Sequence, residues 1–431
     1  MRRVAIISPY FPPSTLAGVH RARLLAKHLP AAGWEPVIIC ADPADYEERP
    51  DPDLATLVPA EAKVIRVRAA SAALSRRFGV GDLGIRAYGA LNRAVTELAV
   101  RREADLVMIT GSPFYPMLMA RTLKRRFGLP VVLDFQDPWV SDWGRVQMPL
   151  SKPGLSHRLA VYLEPLALRA ASWVTSVSET QNAAMARDYP WFDPSRMTAI
   201  PIGGDPEDYS ALARMGRARS PVLKQGVVNL SYVGTFLPRG GPVLRSIFRA
   251  FSILKTANPA VAARIRFNFI GTSNQPNDTA SFRVMAVARE EGVADAVHEI
   301  PQRLPYLDAL AILSQSDALL LLGSDEPHYT ASKIYPGLMS ATPYVSVFHA
   351  ASSAHAILSR AGGGLSFGFT DAASLGALDG SIAAALEALA DGRPRIPPAN
   401  WSLVEPYTAP AIARRFSEVF DAAIARRPVR G

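Results

Sequence analysis

Short apolar runs alternate along the chain with longer stretches in which apolar residues recur at about every third or fourth position. In the first half, the runs Val4–Ser8, Pro36–Cys40, Lys63–Val67, Leu106–Thr110, Val131–Phe135, Trp173–Val177 and Met197–Pro201 predict strands. Helical patterns lie between them, at His20–Pro30, Ile85–Arg102, Pro116–Phe127 and His157–Ala171. The strand runs are apolar without clean alternation, and most are followed by a helix. That combination predicts a parallel sheet covered on both faces, a doubly wound domain.

The pattern then restarts. Strands are predicted at Asn229–Gly234, Arg266–Ile270, Val297–Ile300, Ala318–Leu322 and Tyr344–Phe348. Helices are predicted at Pro242–Thr256, Thr279–Glu291, Pro305–Ser314, Ser332–Ser340, Ser352–Arg360 and Ala373–Ala390. Between the halves, the mixed polar stretch from Gly203 to Val228 reads as a linker. The expected division is residues 1–205, a linker over 206–228, a second domain over 229–405, and a closing segment over 406–431. In that last segment, Ile412, Phe416, Val419, Phe420 and Ala423 fall at helical spacing. The expected fold class is therefore α/β, with two Rossmann-like doubly wound domains facing a cleft. Ligands of such sheets meet the loops at the carboxyl ends of the strands.

Composition narrows the picture. The 431 residues are 49% hydrophobic and 20% charged, which excludes a disordered chain and suits two domains. Cys40 is the only cysteine, so no internal disulfide framework is expected and the chain reads as cytoplasmic. The apolar run Val4–Ile7 is too short for an export signal, and Leu106–Ala120 is too short to span a membrane. The net charge is +9, and residues 64–127 carry 12 Lys and Arg against 4 Asp and Glu, a local excess of +8. Such a stretch can meet a phosphorylated substrate, anionic lipid or nucleic acid, or it can be a solvated face. No nucleic-acid motif or interleaved aromatic accompanies it, so nucleic acid is not expected as a partner.

Candidate chemistry lies in the loops after strands. Gly18, at the start of the first helix, permits close backbone approach of a phosphate, or serves a plain turn. Asp134-Phe135-Gln136-Asp137-Pro138-Trp139 closes the fifth strand, and Asp137 there can accept a proton from a hydroxyl, hold a sugar hydroxyl, or cap a turn. Asp134 alternates toward the sheet and reads as structural. In the second half, Gly234 allows a sharp turn, while Thr235 and Arg239 can donate to phosphate oxygens. Gly323 to Pro336 holds Glu326 and His328, which can reach sugar hydroxyls, and Lys333, which can neutralise a diphosphate beside a helix start. Two motifs mislead. Gly79-Val80-Gly81-Asp82-Leu83-Gly84 follows no strand and so is not a dinucleotide fingerprint, and Asp51-Pro52-Asp53 sits in a Pro-rich loop rather than after a strand.

Taken in order, these elements resemble a GT-B fold glycosyltransferase of the large retaining group called family four, in its bacterial polysaccharide branch. The resemblance runs through the Pro-Pro…Ala-Gly-Val-His-Arg opening and Asp134–Trp139, then Ile200–Tyr209, Tyr232–Gly240 and Lys333–Pro343, nearly the whole chain. It implies that Gly18, Gly234, Thr235, Arg239, Glu326, Ser332 and Lys333 bind the donor, with Arg239 and Lys333 on its diphosphate. It implies Asp137, Arg239 and Lys333 as catalytic residues, and a C-terminal helix crossing back to the first domain. The partners implied are a nucleotide-sugar donor and a glycan or lipid-linked acceptor, with an anionic membrane surface beneath. No cofactor and no metal are expected. Two positions depart from the family: Pro336 stands where a ribose-holding glutamate is usual, with His328 eight residues before it, and Gln136 replaces an arginine. A sugar-nucleotide epimerase of the same fold and a non-catalytic sugar-nucleotide-binding scaffold are the rival readings.

Overall fold

Seven strands build the first sheet of the computed structural model: β1 (Arg2–Ile7), β2 (Trp34–Ala41), β3 (Lys63–Val67), β4 (Leu106–Gly111), β5 (Val131–Phe135), β6 (Trp173–Ser176) and β7 (Met197–Ala199). Their order is β3-β2-β1-β4-β5-β6-β7, every pair parallel. Six more build the second: β8 (Val228–Val233), β9 (Ile265–Ile270), β10 (Val297–Ile300), β11 (Ala318–Leu322), β12 (Tyr344–His349) and β13 (Gly364–Phe369), in the order β10-β9-β8-β11-β12-β13 and again all parallel. The structure describes residues 1–273, 275, 278–326, 332–392 and 395–426.

Two compact units result, one of residues 1–202 with 409–431 and the other of residues 203–408. In the first, both faces of the sheet are buried. Ile7, Ile39, Val107 and Leu133 face one layer of helices, and Val4, Ile6, Ile38 and Met108 face the other. The second layer includes the C-terminal helix Ala409–Ala425, whose Ile412, Phe416, Val419 and Phe420 join the core under β1 and β2. The second unit packs Leu230, Phe267, Phe269 and Leu320 against the helix Gly241–Ala257, with Phe251 edge-on to Phe267 at 5.0 Å.

Every strand predicted from the apolar runs is present. The additional strand β13 reads Gly-Leu-Ser-Phe-Gly-Phe and lies at a sheet edge, partly exposed, so it carries no continuous apolar run. The stretch read as a linker contains the helix Pro206–Arg214, capped by the Asp205 side chain, and belongs to the second unit. Among the described residues, one stretch, Ala372–Asp391, is long and apolar enough to cross a membrane by length and composition. It is broken at Leu378 into two helices, and its Leu375, Ile382 and Leu386 lie in the core of the second unit.

Candidate functional site

In each unit the order in which strands are added across the sheet reverses beside its first strand, between β1 and β4 and between β8 and β11. Loops diverge at such a point and leave a crevice outside the carboxyl ends of the strands. Gly18 follows β1, Gly234 to Arg239 follow β8, and Glu326 and Lys333 follow β11, while Gln136 and Asp137 follow the next strand along, β5.

In the second unit, β8 runs into Gly234, whose φ of 129° suits glycine. Its N–H still pairs with the Ile270 carbonyl at 2.8 Å, so the turn is fastened to β9. The Thr235 carbonyl then accepts from the Tyr232 hydroxyl at 2.8 Å. Lys333, at the N-cap of the helix Ile334–Met339, sends its side chain to this turn. A Cβ on Gly234 would lie 3.8 Å from the Lys333 Cε. The Lys333 ammonium donates to the Thr235 carbonyl at 3.2 Å and to the Tyr232 hydroxyl, 4.1 Å from the ring centroid. Although the side chain as a whole is half-buried, its nitrogen is covered by these groups. Burial pushes the ammonium down to about 7. An arriving anion would offset that desolvation, which makes the pocket chemically suited to an oxyanion.

Arg239 stands on the next turn and donates to the Glu326 carboxylate; the Asp325 N–H donates to the Arg239 carbonyl at 3.3 Å. A Cβ on Gly240 would lie 3.4 Å from the Gly323 carbonyl, so the loop after β8 nests on the loop after β11. The structure therefore brings together Gly234, Thr235 and Lys333 as one cluster and Arg239 and Glu326 as an exposed ion pair. Ser332 is exposed, and its carbonyl accepts from the Tyr335 N–H at 3.3 Å. His328 lies outside the described residues. Pro336 falls in the first turn of its helix, where the lost N–H has no intrahelical partner to forfeit, and its carbonyl accepts from the Tyr209 hydroxyl at 2.7 Å.

In the first unit, Gly18 precedes the helix Val19–His28 with φ of −61°, a conformation open to any residue. A Cβ there would meet the Ser112 carbonyl at 3.5 Å and Gln136 Oε1 at 4.0 Å, ordinary contacts. The sequence pointed to Gly18 but not to its neighbours. Gln136 Nε2 is buried with no hydrogen-bond partner among the described residues, an available donor. Asp137 is exposed and makes no hydrogen bond or ion pair among the described residues, yet desolvation raises its carboxyl above the ordinary range. The two facts agree for a residue in a crowded but open recess. Beside it, Trp139 stacks on Phe114 at 5.5 Å and meets Tyr115 edge-on at 5.8 Å.

Asp134 is structural: it is fully buried, with Arg21 Nε at 3.1 Å and Thr175 Oγ1 at 2.8 Å, and Arg21 also donates to the Ile200 and Pro201 carbonyls. The misleading motifs have structural explanations as well. Gly84 packs where a Cβ would press on Pro113 and Pro116, and Asp51 caps the helix Pro52–Ala55 by accepting from the Leu54 N–H at 3.2 Å.

Comparison with known proteins gives these sites a context. A family profile described as a glycosyl transferase 4-like domain matches residues 18–203. A D-inositol 3-phosphate glycosyltransferase of Stackebrandtia nassauensis is 25% identical over 138 residues, which are 30% of this chain and 31% of that protein. The match thus spans about a third of the length of this curated relative. Among solved structures, a UDP-forming α,α-trehalose-phosphate synthase from Burkholderia vietnamiensis superposes with a TM-score of 0.61 at 15% identity, covering 98% of this chain and 99% of that one. Anabaena HepE, crystallised with UDP and glucose, gives 0.60 at 14% identity, covering 98% and 100%. The fold is that of GT-B proteins. The matched stretch, residues 18–203, carries Gly18, Gln136 and Asp137.

Proposed function

We propose that this chain is a glycosyltransferase that moves a sugar from a nucleotide-sugar donor to a glycan or lipid-linked acceptor, with retention and without a metal. The observation that carries the reading is the desolvated Lys333 ammonium in the Tyr232–Thr235 turn, beside the strand end that also presents Arg239. Lys333 and Arg239 supply positive charge for the donor diphosphate, the role a metal ion plays in other active sites. Arg239 would leave Glu326 for the diphosphate, freeing that carboxylate for sugar hydroxyls. Complexes of the fold relative HepE with UDP and glucose support UDP as the first donor nucleotide to try.

The reaction breaks the bond between the anomeric carbon and the diphosphate oxygen, and forms a bond to the acceptor oxygen on the same face. The acceptor proton goes to the departing phosphate. No protein nucleophile is needed. Asp137 and the Gln136 amide, on the first unit, would orient hydroxyls of donor or acceptor. The basic segment 64–127 supports an anionic membrane surface as the place where a lipid-linked acceptor is met, and a cytoplasmic enzyme bound at the periphery of the membrane.

Calorimetric titration with UDP, GDP, ADP and dTDP, beside Arg239→Ala and Lys333→Ala, tests the donor site. Selective binding of one nucleotide, weakened in both variants, is the expected result. Binding by none overturns it. Pro336 favours one rival reading, a non-catalytic binder of sugar nucleotides, because it offers no carboxylate to a ribose; that rival predicts nucleotide binding with no turnover of any donor.

A further inference from the structure

Residues 141–162 form an unusual surface in the first unit. Four apolar side chains of the short helix Asp142–Arg145 and the loop after it face solvent, namely Trp143, Val146, Met148 and Leu150, the last 84% exposed. The helix Lys152–Leu168 follows and buries Ala160, Glu164, Ala167 and Leu168. Its opposite side presents Leu155, Leu159 and Tyr162, spaced i, i+4, i+7 along one stripe. Monomeric proteins scatter exposed apolar residues singly; a run of this length marks an interaction surface.

The loop is not loosely held. The Ser141 hydroxyl accepts from the Gly144 N–H and the Ser151 hydroxyl from the Gly154 N–H, each at 3.2 Å, and the Ser151 hydroxyl donates to the Met148 carbonyl at 2.7 Å. A Cβ on Gly154 would overlap the Met148 carbonyl, and one on Gly144 the His157 ring. The backbone is therefore pinned against the helix start, and the apolar side chains are held outward.

Charge decides between occupants. From Trp143 to Leu163 the Asp, Glu, Lys and Arg residues are Arg145, Lys152 and Arg158; Arg145 pairs with Asp188 at 2.7 Å and with the exposed Asp142 at 3.7 Å, so Lys152 and Arg158 supply the excess positive charge. The helix Lys152–Leu168 packs beside the helix Met119–Phe127, which exposes Arg121, Lys124, Arg125 and Arg126. Of the remaining basic segment, Arg68 and Arg76 are paired with Asp45 and Glu47 and Arg86 is buried, whereas Arg66, Arg77, Arg93, Arg101 and Arg102 are exposed on other elements; the four on Met119–Phe127 are the ones on a helix packed beside the stripe. A pinned apolar stripe with interfacial Trp and Tyr, bordered mainly by cations and with Asp142 exposed beside Trp143 and Arg145, complements an anionic lipid bilayer.

We infer that Trp143–Leu150 and the Leu155–Tyr162 stripe insert into the headgroup region of an anionic bilayer, seating the first unit on the membrane. The inference rests on the membrane part of the proposed function and names the surface that carries it.

The test is co-sedimentation of the full chain, without donor or acceptor, with phosphatidylcholine vesicles containing phosphatidylglycerol and with phosphatidylcholine alone. The wild type is expected to bind the anionic vesicles in a salt-sensitive way. Leu150→Ser/Leu155→Ser/Tyr162→Ser is expected to weaken binding at least about tenfold while keeping its melting temperature and nucleotide titration. Lys152→Glu/Arg158→Glu is expected to weaken it on anionic vesicles only. Absence of binding by the wild type, or equal binding by the triple variant, overturns the inference. So does a lipid-free dimer that the same triple variant abolishes, which would assign the surface to a second copy of the chain. Either failure leaves the transfer reading to its own titration.

Discussion

The Lys333 ammonium lies 4.1 Å from the centre of the Tyr232 ring and 3.2 Å from the Thr235 carbonyl. Its charge is thus met by a π-face and neutral dipoles, and burial holds its pKa near 7. A bound diphosphate restores the charged form and moves the group back toward its ordinary value. At about pH 8, nucleotide binding should take up nearly a full proton, and affinity should fall as pH rises from about 7 to 9. Calorimetry in two buffers of different ionisation enthalpy reads the uptake. Lys333→Met should abolish it and weaken binding at least about tenfold; an unchanged proton count in that variant would remove Lys333 from the site.

Arg239 and Glu326 are both well exposed, with side-chain accessibilities of 61% and 42%, so their pairing should contribute at most about 1 kcal/mol to folding. Arg239→Ala is expected to leave the melting temperature nearly unchanged while lowering turnover at least about tenfold, roughly 1.4 kcal/mol. Steady-state rates at limiting and saturating donor decide it, and equal rates at both would exclude Arg239.

Glu164 is buried behind the loop that carries Asp137, accepting from the Val140 N–H at 2.8 Å, and burial raises its carboxyl to about 7. The folded chain therefore binds that proton more tightly than the unfolded chain. The resulting stability is complete below about pH 4.5 and is lost as pH rises through about 7, a swing on the order of 3 kcal/mol. Thermal melts of wild type and Glu164→Gln between about pH 5 and 8.5 should diverge, with the variant the more stable at the alkaline end. Parallel curves would contradict the assignment.

Gly234 and Gly18 should respond differently to alanine. At Gly234 the positive φ makes Gly234→Ala destabilising by about 1–3 kcal/mol, although the added Cβ meets Lys333 only at ordinary contact distance. At Gly18 the conformation is ordinary and the added Cβ meets only van der Waals neighbours, so stability should change by less than about 0.5 kcal/mol. A loss of turnover in Gly18→Ala would then report crowding of a ligand rather than of the fold, and denaturant titration beside kinetics separates the two.

The doubly wound sheets were legible because buried parallel strands must be apolar throughout, as in Val131–Phe135 and Ala318–Leu322. Edge strand β13 was hidden by its glycines and exposure. The helix Pro206–Arg214 was hidden by the polar segment around it, although Asp205-Pro206-Glu207 is a helix-start signal. At the candidate site, residue types were readable but partnerships were not. Nothing in the spacing joins Tyr232 to Lys333, a hundred positions on, or leaves Gln136 Nε2 without a partner, because both follow from which strand ends become neighbours.

The helix Ala409–Ala425 belongs to the unit that residues 1–202 begin, and its Phe416 lies 4.9 Å from the Arg21 guanidinium. Residues 203–408 are thus inserted into the first unit's sequence. A ribosome delivers β1 and β2 early and their covering helix last, so Val4, Ile6 and Trp34 must wait, unsealed, while the entire second unit is made. A nonsense codon just before Ala409 would spare every residue of the second unit and still leave the first one open.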